Sequence, residues 1–313
     1  MSEATMIPPA SGQAPRKFGA MSPKDMGLYG MMVVVWGTSW IAMANQLDIV
    51  SPLVTGLYRF AISASIMFIG AFIGGYRLRF PPKVHLRIMA LGMFMFSSNF
   101  VLFYYSASYM ASGLMAVIFS LTSLVNIIMS AIFFRQIPTR FGLIGALLGF
   151  TGIGLIFWPQ IANNAGNEGI LIGLALGMAG TLCFSTGNMI SVANKKFEVP
   201  LISANAWSMF YGTVWLFILS QVLDQPFLID WSPKYWIAMG WLTIMSSVIA
   251  FWGYMTLLSS IGPARAGYLT VLFPIVALVL STIFEGYQWT LPGLAGLLAI
   301  VAGNILVMQG GNR

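Results

Sequence analysis

Residues 271–283 read VLFPIVALVLSTI, a stretch without a charged side chain and without regular alternation of polar and apolar residues. A strand of a membrane barrel would alternate over about ten residues, and this stretch does not. Because lipid cannot satisfy backbone polar groups, a spanning segment must pair its own, as an α-helix of about 20 residues does. The stretch therefore predicts a membrane-spanning helix.

The rest of the chain has the same apolar character. Of 313 residues, 58% are hydrophobic and 7% are charged, against roughly 45–50% and about 25% in ordinary globular domains. So few charges cannot cover the surface of a water-soluble protein of this size. The composition excludes a cytosolic enzyme, a nucleic-acid-binding protein and a disordered scaffold. The first 26 residues have no apolar core, so we expect a tail and no cleavable signal peptide.

Ten segments are long and apolar enough to cross a membrane. Charges, Pro/Gly positions or Asn/Asp turns bound them, and every connection is short. We therefore predict an all-α polytopic membrane protein with ten transmembrane helices. The predicted spans are residues 27–46, 53–74, 86–107, 113–134, 141–158, 169–189, 202–223, 235–259, 264–284 and 289–308.

Lys and Arg residues are distributed unequally between the two sides of these spans. With the N-terminus placed inside, 13 of the 15 fall on the cytoplasmic side, Lys234 falls outside and Arg59 lies within a span. Cytoplasmic loops of membrane proteins carry this excess of positive charge. The distribution predicts that both termini are cytoplasmic.

The two halves of the chain resemble each other at collinear positions. Residues 142–147 read GLIGAL, and residues 293–298 read GLAGLL. Since five helices per half is an odd number, the second half must enter the membrane from the opposite side. Inverted repeats around a central cavity are typical of alternating-access carriers. We predict a tail over residues 1–26, a first five-helix repeat over 27–160 and a second, inverted repeat over 161–313.

Short motifs carry a family resemblance. WGTSW occupies residues 36–40 in the first span, YRF residues 58–60 in the second, and GPARA residues 262–266 before the ninth. In this pattern the chain resembles the EamA type of the drug/metabolite transporter superfamily, and within it the YddG-like amino-acid exporters. The resemblance implies a carrier in a bacterial inner membrane that exports small metabolites, above all neutral or aromatic amino acids. It implies a cavity formed mostly by helices one, three, four, six, eight and nine.

Polar and aromatic side chains inside the spans are the candidates for a solute site, because polar groups that face lipid are costly. A few polar groups between aromatic walls suit an amphipathic or aromatic solute. The same side chains could instead bond between helices or form the aromatic belts at the membrane surfaces. The predicted substrate-binding set is Ser39, Asn99, Tyr104, Ser185, Asn188, Ser247, Trp252 and Tyr268.

Two interruptions lie at matching positions of helices four and nine. Pro274 lies near the middle of its span, and its repeat partner Ser123 lies in SLTS, residues 120–123. Proline kinks a helix by removing a backbone hydrogen bond, and Ser or Thr can bend one. The two residues either form a hinge beside the cavity or are simply accommodated in the packing of their helices. We predict the hinge.

Arg59 is the fully charged residue that lies well inside a span. At about 9 Å from the outer end of its helix, the long side chain could reach the external interface. It could instead pair with the carboxylate of a solute. We predict the structural role and keep the carboxylate as the alternative.

Several chemistries have no residues to carry them. The sequence has one cysteine, one histidine, no Asp or Glu in the middle of a span, and no P-loop. We therefore predict no catalytic residue, no metal, no cofactor and no nucleic-acid partner. The expected mechanism is facilitated or exchange transport of a small solute across the lipid bilayer. A multidrug efflux carrier and a channel-like pore are the alternatives, and monomer and dimer both stay open.

Overall fold

The computed structural model describes residues 21–163, 169–194, 197–261 and 269–310. Within these ranges all regular structure is helical. Nine helices of the described ranges are long and apolar enough to cross a membrane. Leu269–Phe284 is a shorter apolar helix, at the start of the last described range. The predicted all-α polytopic membrane protein is confirmed.

We number the helices α1 to α10 along the chain. Three of them consist of consecutive segments that differ in pitch or are separated by a turn. The bounds are α1 Pro23–Ala44, α2 Pro52–Ile73, α3 Pro82–Met93 with Phe94–Ser98 and Asn99–Ala107, α4 Ser112–Ser120 and Thr122–Phe134, α5 Arg140–Asn163, α6 Gly169–Asn194, α7 Leu201–Val222, α8 Pro233–Gly240 with Trp241–Ile249 and Ala250–Ser260, α9 Leu269–Phe284 and α10 Leu291–Gly310.

Serine–proline pairs determine where three helices begin. Ser22, Ser51 and Ser232 each accept a hydrogen bond from a backbone amide in the first turn of α1, α2 or α8, and proline follows each. An N-cap serine satisfies one of the amides that a helix leaves unpaired. Proline suits the first helical position because its φ angle is already helical. These starts are therefore encoded locally.

Glycines allow close packing of α5 against α10. A Cβ atom on Gly145 would lie 2.5 Å from the carbonyl oxygen of Gly303, and one on Gly152 would lie 2.5 Å from that of Gly296. Membrane helices have small residues at such crossings because the hydrophobic effect does not drive helices together in lipid, and close van der Waals packing takes its place. Helix α10 of the same chain therefore covers the face of α5 that bears Gly145 and Gly152.

Both α3 and α8 contain a wider, π-helical stretch, Phe94–Ser98 in α3 and Trp241–Ile249 in α8. In each, a serine hydroxyl donates to the carbonyl five residues before it, Ser97 at 3.0 Å and Ser247 at 2.8 Å. Such stretches are rare in proteins, and those that occur are often found at functional sites. The hydroxyls of these two serines thus stabilise their own helices.

The helices predicted to carry the hinge behave differently. A turn at Leu121 interrupts α4 two residues before Ser123, whereas the described part of α9 runs through Pro274 without a break. The Ser123 hydroxyl donates to Asn304 Oδ1 on α10. An interruption is therefore present in α4, and hinge motion at Ser123 and Pro274 stays a prediction.

The two halves of α4 are packed differently. Helix α9 packs along Ser112–Ser120 and has no comparable contact with Thr122–Phe134 in the part of the chain that the structure describes. Residues 112–118 are all buried, whereas Ile132 and Phe133 are 66% and 56% exposed. In the described ranges, the bundle is therefore closed where α4 begins, whereas side chains near the end of α4 are exposed.

Candidate functional site

Aromatic rings from several helices meet in the interior of the bundle. Trp40 of α1 lies 5.1 Å from Phe103 of α3 and 5.4 Å from Phe119 of α4, between ring centroids. Phe119 lies 4.8 Å from Phe184 of α6 and 6.2 Å from Phe273 of α9. Ring pairs at such distances add about 0.5–1.5 kcal/mol each beyond the area they bury. The rings therefore form one connected group.

Helix α8 joins this group through Tyr254. The Tyr254 ring lies 5.6 Å from Trp36, which precedes Trp40 by one turn of α1. Helices α1, α3, α4, α6, α8 and α9 all contribute, and these are the six that the family resemblance implies for a cavity. We call the group the aromatic cluster and define it as Trp36, Trp40, Phe103, Phe119, Phe184, Tyr254 and Phe273.

Access to the aromatic cluster is uneven. Phe103 and Phe273 are 1% and 2% exposed, whereas Trp40, Phe119 and Phe184 are only partly buried. Ligand sites in proteins are mostly apolar and aromatic, with a few polar groups that orient the ligand. The partly buried rings are therefore the candidates within the aromatic cluster for contact with a small solute that has an apolar or aromatic side chain.

Polar contacts between α4 and α9 hold the closed end of the bundle. The Glu285 carboxylate accepts hydrogen bonds from the Ser112 amide at 2.9 Å and from the Ser112 hydroxyl at 2.8 Å. The Ser281 hydroxyl accepts another from the Gly113 amide at 2.7 Å. Hydrogen bonds to a carboxylate are of the stronger, charge-assisted type. These contacts must break before α4 and α9 can separate at this end.

Asn99 and Ser185, two residues of the predicted set, are buried without partners. Both are 0% exposed, and neither the amide atoms of Asn99 nor the Ser185 hydroxyl has a hydrogen bond among the described residues. A buried polar group left unpaired costs about 1–3 kcal/mol. Within the predicted set, these are the groups left without a partner among the described residues, and solute binding by them stays a prediction.

Three others already have partners in the protein. The Tyr104 hydroxyl donates to Gln46 Oε1 at 2.7 Å, and Asn188 Nδ2 donates to Asn126 Oδ1 at 3.4 Å. The Ser39 hydroxyl donates to a carbonyl of its own helix at 2.6 Å, a common arrangement in membrane helices. The bonds of Tyr104 and Asn188 join different predicted spans, as the alternative from the sequence has it, whereas that of Ser39 lies within α1. Substrate binding by the three stays a prediction.

The remaining residues of the set do not join the aromatic cluster in the described structure. Ser247 bonds within α8, as described above. Trp252 lies on the last segment of α8, which packs on α1, and its side chain is 61% exposed. Tyr268 lies outside the described residues. A direct role for Trp252 in solute binding therefore stays a prediction without a contact to support it.

Arg59 lies inside the bundle. It is 3% exposed, so it does not extend to the external interface as a snorkelling side chain would. The guanidinium carbon lies 4.5 Å from the centroid of the Phe100 ring and 5.4 Å from that of Phe60. The guanidinium also lies beside the Tyr104 hydroxyl. The position of Arg59 along its membrane span could be predicted from the sequence, but the direction of its side chain could not.

The aromatic cluster is the part of the candidate site that sequence reasoning missed. WGTSW was used as a family motif, and its two tryptophans were not proposed as site residues. The available signal was the set of helices implied for the cavity, each of which carries a ring. With 23 phenylalanines and 10 tryptophans in the chain, no single ring stood out.

One family of membrane proteins matches the chain twice. The description of the matching family is EamA-like transporter family, over residues 27–158 and again over residues 171–309. The chain belongs to the EamA-like transporter family. The suspected EamA-type relationship is thus confirmed, and this EamA-like protein is an integral membrane transporter and not an enzyme. YddG-like specificity stays a prediction.

Relatives cover nearly the whole EamA-like chain at low identity. Protein PagO of Salmonella typhimurium is 23% identical and the alignment covers 91% of this chain and 93% of PagO. The uncharacterized inner membrane transporter YedA of Escherichia coli is 24% identical, with 94% and 93% covered. One solved crystal structure is 16% identical, with a TM-score of 0.64 over 93% of this chain and 99% of its own. That likeness shows the fold alone.

Proposed function

We propose that this EamA-like transporter exports small metabolites, in particular neutral and aromatic amino acids, by alternating access. The aromatic cluster carries the proposal, because six helices bring rings together, and the rings from α1, α4, α6 and α8 are partly accessible. Such rings suit the side chain of an amino acid, and the unpaired groups of Asn99 and Ser185 suit its polar end.

Alternating access requires one end of the bundle to close while the other opens. The Glu285 contacts with Ser112 close one end, and the described part of α9 has no comparable contact with Thr122–Phe134 of α4. The two matches to one family support a duplicated architecture. So do the π-helical stretches, which occur in the third helix of each half. An inverted second copy would give the carrier two related gates.

Counterflow in proteoliposomes tests the proposal. Vesicles loaded with unlabelled phenylalanine, leucine or alanine should transiently concentrate the same labelled amino acid, because a carrier exchanges its substrate. Equilibration without concentration would indicate the channel-like pore instead. Exchange of cationic dyes without exchange of amino acids would indicate a multidrug carrier. The apolar walls of such a carrier could resemble those of an amino-acid carrier. Protein-free liposomes are the control.

We expect transport without an imposed ion gradient. Proton-coupled carriers use acidic residues or histidine within the membrane, and the sequence has no Asp or Glu in the middle of a span. The initial rate of labelled phenylalanine efflux down its gradient should therefore be unchanged when ionophores remove the proton and sodium gradients. A strict requirement for either gradient would contradict facilitated transport.

We expect Asp48 to be external and Arg79 to be cytoplasmic, from the loop charges. Both side chains are exposed, so reagents can reach them. In a Cys183→Ala background, Asp48→Cys should react with a membrane-impermeant thiol reagent in intact cells. Arg79→Cys should react only after the cells are permeabilised. The reverse pattern of labelling would overturn the orientation with both termini inside.

A further inference from the structure

Arg59 is a buried cation without a carboxylate partner in the described ranges. Its side chain is 3% exposed, and the ion pair found in those ranges joins Lys234 to Asp48 on the surface, at 2.8 Å. Arg59 Nε is buried and has no hydrogen bond. A buried charge that is left unpaired destabilises a protein strongly, and within a membrane such residues usually mark solute or ion pathways.

Two phenylalanine rings hold the guanidinium without neutralising it. It lies over the Phe100 ring of α3 and close to the Phe60 ring of its own helix. A cation–π contact is weaker than the cost of removing an ion from water, so these rings leave the charge largely uncompensated. They do fix the position of the guanidinium, which presents its donors in a rigid fork that matches a carboxylate.

The polar groups around Arg59 include unused donors. The Tyr104 hydroxyl lies beside the guanidinium and donates to Gln46 Oε1 at 2.7 Å. Gln46 Nε2 and the hydroxyl of Ser63, one turn after Arg59 on α2, are buried without hydrogen bonds. A guanidinium N–H, an amide N–H and a hydroxyl are all groups from which a carboxylate accepts. Among the described residues, no carboxylate pairs with Arg59 to serve as the acceptor.

These groups adjoin the aromatic cluster. Tyr104 follows Phe103 in the chain, and both belong to a core that also contacts Trp40 and Phe119. We infer that Arg59 binds the carboxylate of the transported solute, whose apolar or aromatic side chain then contacts the rings. The carrier therefore selects monocarboxylates over analogues in which the carboxylate is lost. The inference rests on the proposed function and names the group that recognises its substrate.

The test compares each amino acid with its own amide. Phenylalanine and phenylalaninamide, and leucine and leucinamide, compete with labelled phenylalanine in the counterflow assay. The wild type should prefer the acid by on the order of 10- to 100-fold, the range expected for hydrogen bonds to a charged group. Arg59→Gln should bring the ratio to about 1, since its amide cannot balance an anion. Arg59→Lys should keep part of the preference, because lysine retains the charge without the fork.

Arg77→Gln is the matched control. Arg77 also lies over a phenylalanine ring, with 4.8 Å to the centroid of Phe80, but it is an exposed loop residue, so the ratio should not change. If Arg59 is purely structural, Arg59→Gln should lower uptake and Tm but leave the preference for the acid over the amide unchanged. An unchanged ratio in Arg59→Gln would therefore overturn the inference and leave the proposed function standing.

The wild-type protein provides a readout that does not depend on a variant folding. Equal competition by acid and amide in the wild type would overturn the inference, even if Arg59→Gln could not be purified. If no amino acid and no amide exchanges at all, the proposed function fails, and the inference fails with it. The two failures are thus distinguishable in one assay.

Discussion

Gly152→Ala should lower the stability of the carrier, whereas Gly154→Ala, two residues further along α5, should not. A Cβ atom on Gly152 would lie 2.5 Å from the Gly296 carbonyl oxygen and 2.6 Å from the side chain of Ile300. Backbone atoms cannot move aside as a flexible side chain can, so α5 and α10 would have to separate along their interface. Overpacking of this kind costs about 1–3 kcal/mol, and sometimes more.

Gly154 is the matched control, because a Cβ atom there meets nothing within 4 Å. Alanine also favours a helix over glycine by about 1 kcal/mol, so this variant should be neutral or slightly stabilised. Thermal unfolding followed by tryptophan fluorescence, with size-exclusion profiles in detergent, measures both. Equal Tm values for the two variants would show that the close approach of α5 and α10 does not stabilise the protein.

Trp40→Ala should remove most of the transport activity, and Trp252→Ala should remove little. The Trp40 ring contacts Phe103, Phe119 and Phe273, so its loss takes away a central contact surface for a solute. Losing one aromatic contact should lower the specificity constant for phenylalanine by about 10-fold. Trp252 is 61% exposed, and truncating it leaves the aromatic cluster intact.

Transport rates per folded protein separate this effect from a loss of stability. Trp40→Phe is the conservative control, because it keeps a ring in the cluster and should keep much of the activity. The structure thus ranks the two tryptophans in the opposite order to the sequence, which favoured Trp252. Loss of transport in Trp252→Ala at normal Tm, with normal transport in Trp40→Ala, would restore the original ranking.

The helices could be predicted because membrane spans follow directly from length and hydropathy. Their ends were less accurate. The first span was predicted from residue 27, whereas α1 begins at Pro23. Counting apolar residues penalises Lys24 and Asp25, although a helix tolerates charges in its first turn. The Ser22 cap was a signal for the true start, since serine followed by proline is a helix N-terminus.

The site was harder to predict because a sequence gives the depth of a side chain more readily than its direction. Asn99 and Ser185 were predicted to bind the solute, and they lie buried without a hydrogen bond to any described residue. Ser247 was assigned to solute, but its hydroxyl bonds within the π-helical stretch of α8, a feature that hydrophobic periodicity does not reveal. Trp252 and Tyr104 were both predicted to bind the solute, yet Trp252 is 61% exposed and Tyr104 is 0% exposed.

The π-helical stretch of α3 sets the rotational phase between the two halves of that helix. One residue of a regular α-helix corresponds to about 100° of turn, and the wider turn over Phe94–Ser98 absorbs a residue within this cycle. If the same residues formed a regular α-helix instead, the segment after Ser98 would be turned by about 100°. Tyr104 would then no longer face Gln46. The wide turn is thus an angular spacer, which lets one helix present the small Gly92 to α7 and Tyr104 to the end of α1.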